Sequence, residues 1–222
     1  MPDVLLYTPT SPEIRHLSAA DPTLGSLIER VGPIEQPLEA DYYASLARAI
    51  VSQQLSDKAA TTIWRRLVTA LGGDPSPQVI LSADETLLRG AGLSRSKASF
   101  LRDLARHINS GSLDLARVAT LPDEDVIEEL LAVKGIGRWT AEMFLIFSLG
   151  RPDVLAVDDG ALRATVGWLY GIDGGASREA VAAIGEAWQP YRTTASLYLW
   201  EGLALRRAEA RTDMGAGQLG GS

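Results

Sequence analysis

Hydrophobic residues recur at helical spacing along most of this chain. From residue 41 onwards, apolar side chains three and four positions apart, such as Leu46, Ala47, Ile50 and Val51, mark one buried face of each segment. No stretch alternates apolar and polar residues as a half-buried strand does, so the pattern predicts an all-α fold. Glycines, prolines and capping serines divide the pattern into predicted helices over residues 23–31, 41–52, 57–71, 75–81, 84–89, 94–109, 121–131, 161–170, 177–188 and 191–209, with a further helix that runs through Met143 and Ile146 and ends at Gly150.

The two ends of the chain depart from this pattern. Six prolines fall within residues 1–40, which are too many for long helices, and only residues 23–31 have helical spacing there. Residues 211–222 are rich in glycine and have no packing pattern. We expect them to form a disordered tail.

A glycine turn joins two apolar helices at residues 131–141, a segment called the hairpin below. Gly135 and Gly137 flank Ile136, and glycines suit a turn whose backbone takes a positive φ or approaches a bulky group. The amides of such a turn, with the first N–H groups of the next helix, point outward without partners. They can hold an anion such as a backbone phosphate. The Gly-x-Gly pattern alone also fits an ordinary helical hairpin, so it does not decide between the two.

Two adjacent carboxylates follow the hairpin. Asp158 and Asp159 precede the predicted helix 161–170, and Asp159 lies 22 residues after Gly137. The hairpin itself contains the sequence Gly-Ile-Gly-Arg-Trp-Thr-Ala. With these two features, roughly residues 35–210 resemble the helix-hairpin-helix DNA glycosylase superfamily, and within it the bacterial 3-methyladenine DNA glycosylase II branch.

The resemblance implies an all-α architecture of two helical lobes, with the helix-hairpin-helix motif and an active-site cleft between the lobes. Residues 41–150 would form the helical barrel lobe that carries the hairpin, and residues 151–210 would complete the other lobe. Residues 1–40 would pack on that C-terminal lobe. They are too few for the N-terminal α+β domain of full-length bacterial relatives, so we expect no such domain.

Composition limits the chemistry that the chain can perform. Of its 222 residues 46% are hydrophobic, but no apolar run approaches the roughly 18 residues of a membrane span. The first residues lack the basic start and apolar core of a signal peptide, and we expect a cytoplasmic, nucleoid-associated protein. The absence of cysteine excludes disulfides and iron–sulfur clusters, and His16 and His107 are too few for a zinc site. We therefore expect no cofactor and no catalytic metal.

The charge distribution bears on nucleic-acid binding. A net charge of −7 is unusual for a protein that binds phosphates, because Lys and Arg normally supply the attraction. The charge is uneven, however: residues 41–110 hold nine basic residues against six acidic ones, whereas residues 121–160 hold three against nine. A small interface that grips DNA through backbone amides needs few cations, so the acidic excess can face solvent elsewhere.

Asp159 is the candidate catalytic residue. Cleavage of an N-glycosidic bond passes through an oxocarbenium-like sugar, and a nearby carboxylate can stabilise that charge and direct a water molecule. The resemblance selects Asp159, because the Leu162 and Arg163 that follow it match the family's pattern of an apolar and then a basic residue. Asp158 would cap the next helix or hold Asp159 in place. The alternative is that both carboxylates only cap the helix 161–170.

Aromatic side chains are the candidates for the pocket of a flipped base. A tryptophan face can bind a positively charged alkylated purine, and the resemblance places Trp139 and Trp200 there. Met143 lies one turn after Trp139, and Tyr191 shares a predicted helix with Trp200. Relatives that cut the strand carry a Schiff-base lysine at the position of Trp139, so we expect a monofunctional enzyme that leaves an abasic site. The other tryptophans are predicted core residues: Trp64, Trp168 and Trp188.

The resemblance also assigns contacts to the DNA. The hairpin would hold a phosphate, and the helix start at residue 94 would lie beside the duplex, although its basic turn could equally be solvated. A polar break at residues 53–55 would supply the wedge that fills the space left by the flipped nucleotide, unless Leu55 belongs to the core. Predicted backbone contacts are Gly135, Gly137, Arg138, Thr140, Ser94, Arg95 and Lys97; the wedge is Gln54 or Leu55, with Gln53 beside it; and carbonyls of Leu131, Val133 and Ile136 could hold a structural Na⁺ or K⁺.

These observations lead to one preferred hypothesis. The chain is expected to be a monomeric, monofunctional DNA glycosylase that removes alkylated bases from double-stranded DNA in base excision repair, without a membrane partner. The expected substrates are of the 3-methyladenine and 7-methylguanine type. A mismatch or uracil glycosylase on the same scaffold is one alternative, and a non-catalytic helix-hairpin-helix DNA-binding module is another. Asp159 argues against the DNA-binding module, because a module that only binds DNA does not need a catalytic carboxylate.

Overall fold

The computed structural model describes residues 3–219, with side chains as far as residue 209. The described part is mainly helical with one small sheet, which confirms the predicted all-α class. Among these residues, no helix is both long and apolar enough to cross a lipid bilayer. The elements are β1 (Val4–Tyr7), α1 (Pro12–Ala20), α2 (Pro22–Val31), β2 (Ile34–Pro37), α3 (Tyr42–Ser52), α4 (Asp57–Ala70), α5 (Pro77–Ser82), α6 (Glu85–Gly90), α7 (Arg95–Asn109), α8 (Leu115–Val118), α9 (Asp123–Leu131), α10 (Arg138–Phe147), α11 (Gly160–Leu169), α12 (Arg178–Gly185), a 3₁₀ turn (Glu186–Trp188) and α13 (Arg192–Leu219).

The described chain divides into two compact units. The first contains residues 3 and 38–149, and the second contains residues 4–37 together with 150–219. In the first unit, α3 packs against α4, α7 and α10, and α9 packs against α10. In the second unit, α13 packs against α1, α2 and α11. Each unit has its own core of fully buried aliphatic side chains.

A two-stranded sheet in the second unit is absent from the sequence prediction. Strands β1 and β2 pair antiparallel, with Val4 opposite Pro37 and Tyr7 opposite Ile34. Each strand has only four residues. Strands of this length are too short for an alternating pattern to be recognised.

Helix α1 is also missing from the prediction, and the prolines explain why. Pro12 and Pro22 begin α1 and α2, at a position where the missing N–H has no helical partner to lose. The Asp21 side chain completes the start of α2 by accepting hydrogen bonds from the amides of Thr23 and Leu24. Counting prolines therefore overstates the barrier to helix formation when they fall at helix starts.

The last helix is longer than its hydrophobic pattern indicates. Helix α13 continues to Leu219, whereas the sequence predicts a helix end near residue 209 and a disordered tail over 211–222. Residues 204–211 are rich in alanine and arginine, which favour helix, and no proline follows them before Leu219. The backbone therefore remains helical after the packing pattern has ended. This corrects the predicted tail as far as Leu219, and residues 220–222 lie outside the described residues.

The three tryptophans predicted as core residues have different environments. Trp188 is fully buried. Trp64 and Trp168 are only half-buried. The guanidinium of Arg48 lies over the Trp64 ring, and those of Arg30 and Arg206 lie over the Trp168 ring. These two rings therefore lie at the edge of the core and are covered by arginine side chains.

Candidate functional site

The hairpin between α9 and α10 requires glycine at position 135. Gly135 has a φ of +87°, a conformation that L-residues rarely adopt. A Cβ atom at this position would lie 2.3 Å from a ring carbon of Phe100, a residue of α7. The backbone of the hairpin is therefore seated directly on an aromatic ring, as the prediction of a close approach requires.

Gly137 has a different function in the hairpin. It is the N-cap residue of α10 with a φ of −99°, and the space around a Cβ there is open. Because glycine has no side chain, Gly137 itself does not cap the first turn of α10. The helix start can therefore offer N–H groups and its positive dipole to an anion. The Thr140 side chain is buried, so its predicted phosphate contact would come from its amide.

Side chains from two other parts of the first unit hold the hairpin. Gln53, which follows α3, donates from Nε2 to the carbonyl oxygen of Gly135 at 2.7 Å. Asp103 of α7 accepts a hydrogen bond from the amide of Lys134 at 2.9 Å. Burial disfavours the charged form of Asp103, but hydrogen bonds from Lys134 and Arg106 outweigh it, and the pKa of this carboxyl lies below its ordinary value. Two consecutive hairpin residues are thus fixed by side chains.

The structure corrects the assignment of Lys97 to the DNA backbone. Its Nζ donates to the carbonyl oxygens of Val51 at 2.7 Å and Gln53 at 2.6 Å, where α3 ends. A cation is favoured at the C-terminal end of a helix, where carbonyl groups lack partners. Burial of the ammonium lowers the pKa of Lys97. Lys97 is therefore a cap of α3.

Arg138 is the second corrected contact. Its guanidinium forms a bidentate pair with Glu124, at 2.6 Å and 3.0 Å, and also donates to Glu142 at 3.2 Å. A guanidinium that already has two carboxylate partners contributes little net attraction to a phosphate. The role of the Arg138 side chain is therefore to tie the start of α10 to α9.

The remaining residues predicted at the backbone lie at the start of α7. Ser94 is its N-cap and accepts a hydrogen bond from the amide of Lys97 at 3.2 Å. Arg95 is 81% exposed and lies 3.6 Å from Glu85, so most of its guanidinium surface faces solvent. A phosphate contact by Arg95 stays a prediction.

Residues Gln54 and Leu55, called the wedge corner below, connect α3 to α4. Gln54 is exposed and has a φ of +57°, unusual for a residue other than glycine. Leu55 is 38% exposed, which argues against the alternative that it belongs to the core. Gln53 differs from its neighbours, because its side chain is bound to the hairpin. This corrects its assignment to the wedge.

Asp159 is the N-cap residue of α11 in the second unit. Its Oδ1 accepts hydrogen bonds from the amide of Leu162 at 2.7 Å and from the indole nitrogen of Trp200 at 3.1 Å. These two donors set the orientation of the carboxylate. Capping is compatible with a catalytic role, because an ionised carboxylate has two oxygens and about four lone-pair sites.

Asp158 performs neither of its predicted tasks. Its carboxylate forms an ion pair with Arg178 of α12, and both side chains are largely exposed. Asp159 alone of the two carboxylates accepts from the first turn of α11. The capping alternative therefore applies to Asp159 but not to Asp158.

The residues predicted for the base pocket lie in both units. In the first unit, Trp139 is 42% exposed, whereas Met143 is half-buried and lines a groove with Ser45 and Ala49 of α3. In the second unit, Tyr191 packs edge-to-face on His16 with ring centroids 5.3 Å apart. The membership of these residues in one pocket stays a prediction.

Sequence reasoning missed the contacts that α7 makes with the hairpin and with the end of α3. Lys97, Phe100 and Asp103 are three positions apart and so lie on one face of that helix. This spacing is visible in the sequence. The segments that the face contacts depend on packing between helices distant in sequence, which no local pattern reveals.

The fold and the hairpin define a helix-hairpin-helix protein. The chain belongs to the HhH-GPD superfamily of base excision DNA repair proteins, whose family model matches residues 47–190. This confirms the superfamily that the hairpin and the spaced aspartate predict.

Individual relatives and solved structures show which branch of this superfamily the chain resembles. DNA-3-methyladenine glycosylase 1 of Schizosaccharomyces pombe is 37% identical over 192 residues, covering 84% of each chain. A DNA-3-methyladenine glycosidase from Bacillus halodurans has a solved structure with a TM-score of 0.83 and 39% identity, covering 92% of this chain and 95% of that one. The S. pombe 3-methyladenine DNA glycosylase in complex with abasic DNA has a TM-score of 0.79 at 35% identity, covering 86% and 96%. These similarities confirm the predicted 3-methyladenine glycosylase branch.

Proposed function

We propose that this chain is a monofunctional DNA glycosylase that removes alkylated bases from double-stranded DNA and leaves an abasic site. The preferred substrates are of the 3-methyladenine and 7-methylguanine type. The observation that carries the proposal is the Asp159 carboxylate, held by a helix N–H and an indole N–H in a chain of a base excision repair family. The names of the similar glycosylases, and the abasic DNA bound to one of them, support the same activity.

The Asp159 carboxylate acts on the sugar of the flipped nucleotide. As the bond between the base and C1′ breaks, its electron pair leaves with the base and positive charge develops on the sugar. A carboxylate in a fixed orientation stabilises that charge and directs a water molecule to C1′. The products are the free base and an abasic site. A cationic alkylated base leaves readily as a neutral molecule, so little assistance to the leaving group is needed.

The hairpin anchors the DNA backbone. The start of α10, where Gly137 has no capping side chain, offers N–H groups to a phosphate oxygen, and the positive end of the helix dipole favours the negative charge. Binding through backbone amides reconciles DNA recognition with the net charge of −7. The exposed wedge corner then fills the space in the base stack that the flipped nucleotide leaves.

Trp139 bears on both substrate choice and reaction type. Trp139 is 42% exposed, and an aromatic face attracts a positively charged base. An indole has no primary amine and cannot form a Schiff base with the sugar, so the enzyme leaves the strand intact.

The hairpin carbonyls also suit a monovalent cation. Leu131 ends α9, where carbonyl groups lack helical partners, and the Val133 carbonyl accepts only one hydrogen bond among the described residues, from Ile136. Neutral oxygens of this kind would hold Na⁺ or K⁺ and stabilise the turn beside a phosphate. Replacing K⁺ by a large organic cation at constant ionic strength should weaken DNA binding. Unchanged affinity would contradict this cation site.

The activity is tested by base release from methylated duplex DNA. Asparagine is also a good N-cap, so Asp159→Asn should keep the fold while lowering release about 10²–10³-fold. Its binding to a duplex with an abasic analogue should be retained, as binding does not need the carboxylate's charge. Asp158→Asn is the matched control and should retain the wild-type rate.

Each alternative gives a different result in this assay. Abasic-site binding by a wild-type protein that releases no base would indicate a DNA-binding module. Release of uracil or mismatched bases, but not alkylated ones, would indicate the related glycosylase. Strand cleavage without added base would contradict the monofunctional reaction, and light scattering of the DNA complex would test whether the chain acts as a monomer.

A further inference from the structure

Three hydrogen bonds join the end of α3, just before the wedge corner, to α7 and to the hairpin within the first unit. The Lys97 ammonium binds the main-chain carbonyls of Val51 and Gln53, at 2.7 Å and 2.6 Å. The Gln53 side chain donates to the Gly135 carbonyl at 2.7 Å. Lys97 therefore holds the backbone of Gln53, and the side chain of Gln53 binds the hairpin. Gln54, the first residue of the wedge corner, follows it directly.

One face of α7 supports both ends of this connection. Lys97 binds the end of α3, Phe100 lies against the Cα of Gly135, and Asp103 accepts from the amide of Lys134. These three residues follow at intervals of three along α7. A single rigid helix thus contacts the hairpin and the segment that carries the wedge corner.

We propose that Gln53 and Lys97 are positioning residues of the base-excision reaction, which fix the wedge corner and the hairpin in one arrangement. The inference rests on the glycosylase function proposed above. Phosphate anchoring and wedge insertion are then coupled, because neither segment can shift without breaking the hydrogen bonds at Gln53. Neither residue acts on the reacting atoms directly.

The chemistry of both groups suits this role better than direct DNA contact. The Lys97 ammonium already has two carbonyl partners, and its burial lowers its pKa. Gln54 adopts a left-handed backbone conformation that the surrounding structure must hold. A displacement of about 1 Å in a positioning segment can lower a rate up to about 100-fold.

Amide hydrogen exchange of the free protein tests the connection without any DNA. Gln53→Met preserves side-chain length but removes the N–H donor. We expect amides of residues 135–140 to exchange about tenfold faster in this variant, since the net value of one hydrogen bond corresponds to a factor of about that size. Gln78→Met, on the exposed face of α5, is the matched control. Unchanged exchange in Gln53→Met would overturn the proposal.

Single-turnover base release then tests the coupling. Gln53→Met and Lys97→Met should each lower the rate constant about 10- to 100-fold, and Lys97→Arg should restore part of it. In a background that lacks the wedge side chains, Gln54→Ala with Leu55→Ala, the further loss should shrink to about threefold or less. A merely structural role would give the same loss in both backgrounds, and that result would overturn the proposal.

A pH profile provides an independent readout. In Gln53→Glu, an ionised carboxylate faces the Gly135 carbonyl at neutral pH, whereas a protonated carboxyl can donate a hydrogen bond. The rate relative to wild type should therefore rise as the pH falls from about 7 to 5; a flat ratio would contradict the role of the donor. If the wild-type protein released no base, the proposed function would fail, but hydrogen exchange would still decide the positioning.

Discussion

The indole nitrogen of Trp200 lies 3.1 Å from Oδ1 of Asp159, which precedes it by 41 residues. The same oxygen accepts from the Leu162 amide, so two N–H donors from different helices converge on one carboxylate. Two donors on one oxygen restrict the rotation of the carboxylate. Trp200, which the resemblance assigns to the base pocket, therefore also orients the candidate catalytic group.

Trp200→Phe separates these two roles. Phenylalanine retains an aromatic ring but cannot donate to Asp159, so we expect the single-turnover rate of base release to fall about tenfold. The free energy of unfolding should fall by about 1 kcal/mol, as for the loss of one hydrogen bond. Trp168→Phe is the control and should leave the rate unchanged. A Trp200→Phe enzyme with the wild-type rate would mean that only the aromatic face matters.

Gly137→Asp should stabilise the protein and weaken DNA binding at the same time. An aspartate at an N-cap satisfies helix amides and favours the positive dipole end, which should add about 1 kcal/mol to the free energy of unfolding. The new carboxylate would also occupy the position proposed for the phosphate, and its negative charge would repel the phosphate. We expect affinity for abasic duplex DNA to fall at least about tenfold.

Gly137→Ala is the control for this change, because φ of −99° and open space tolerate a Cβ. It should lower the free energy of unfolding by about 0.5 kcal/mol, because alanine is a poorer N-cap than glycine, and should leave the DNA affinity nearly unchanged. Denaturant titration and fluorescence anisotropy measure the two effects separately. If Gly137→Asp bound DNA as tightly as wild type, the start of α10 would not be the phosphate site.

The sequence predicts the features of the fold that depend on local spacing. The apolar stripe of α3, the glycine turn and the helix that follows Asp159 can all be identified without a structure. The sequence does not predict the short strands, because the four residues of β1 contain no periodic signal. The prediction misses helix α1 for another reason, since a proline count ignores the position of Pro12 at a helix start.

The candidate site also has some features that the sequence predicts and others that it does not. The spacing of Gly137 and Asp159 identifies the family, but the partners of polar side chains depend on helix packing. Lys97 and Arg138 look like phosphate ligands in the sequence, whereas in the structure protein groups already bind both of them. Side-chain chemistry is predictable from the sequence, but the choice between a protein partner and a DNA partner is not.

Asp21 should make the second unit sensitive to acid. Burial opposes its charge, but hydrogen bonds from the Tyr170 hydroxyl, the Trp188 indole and the amides at the start of α2 outweigh it and lower its pKa. An unfolded aspartate has a pKa of about 3.9 and binds protons more readily than the folded one. The resulting stabilisation is complete above about pH 5 and is lost as the pH falls through 4 towards the folded pKa.

Asp21→Asn tests this dependence, since asparagine can still cap α2. We expect the free energy of unfolding to fall by about 2 kcal/mol at pH 7, because hydrogen bonds to a charged acceptor are lost. The difference should be smaller at about pH 3, because the aspartate of the unfolded chain is then largely protonated. Urea denaturation at both pH values measures it, with Asp173→Asn in an exposed loop as the control. An equal difference at both pH values would show that the charge of Asp21 contributes nothing.

The salt dependence of DNA binding distinguishes the two arginines predicted at the backbone. Each phosphate contact by a cation adds about 0.9 to the slope of log affinity against log salt concentration. Arg95 is 81% exposed and lies 3.6 Å from Glu85, so its guanidinium can reach a phosphate. Arg95→Gln should therefore lower the slope by about 0.9.

Removing Arg138 alone would leave its carboxylate partners with excess charge, so Arg138→Gln is combined with Glu124→Gln. This double variant preserves net charge and should keep the wild-type slope, because the Arg138 guanidinium is already paired. Anisotropy titrations against abasic duplex DNA over a range of KCl concentrations give the slopes. If Arg95→Gln kept the wild-type slope, its helix start would be a solvated basic turn; a reduced slope in the double variant would restore Arg138 as a DNA ligand.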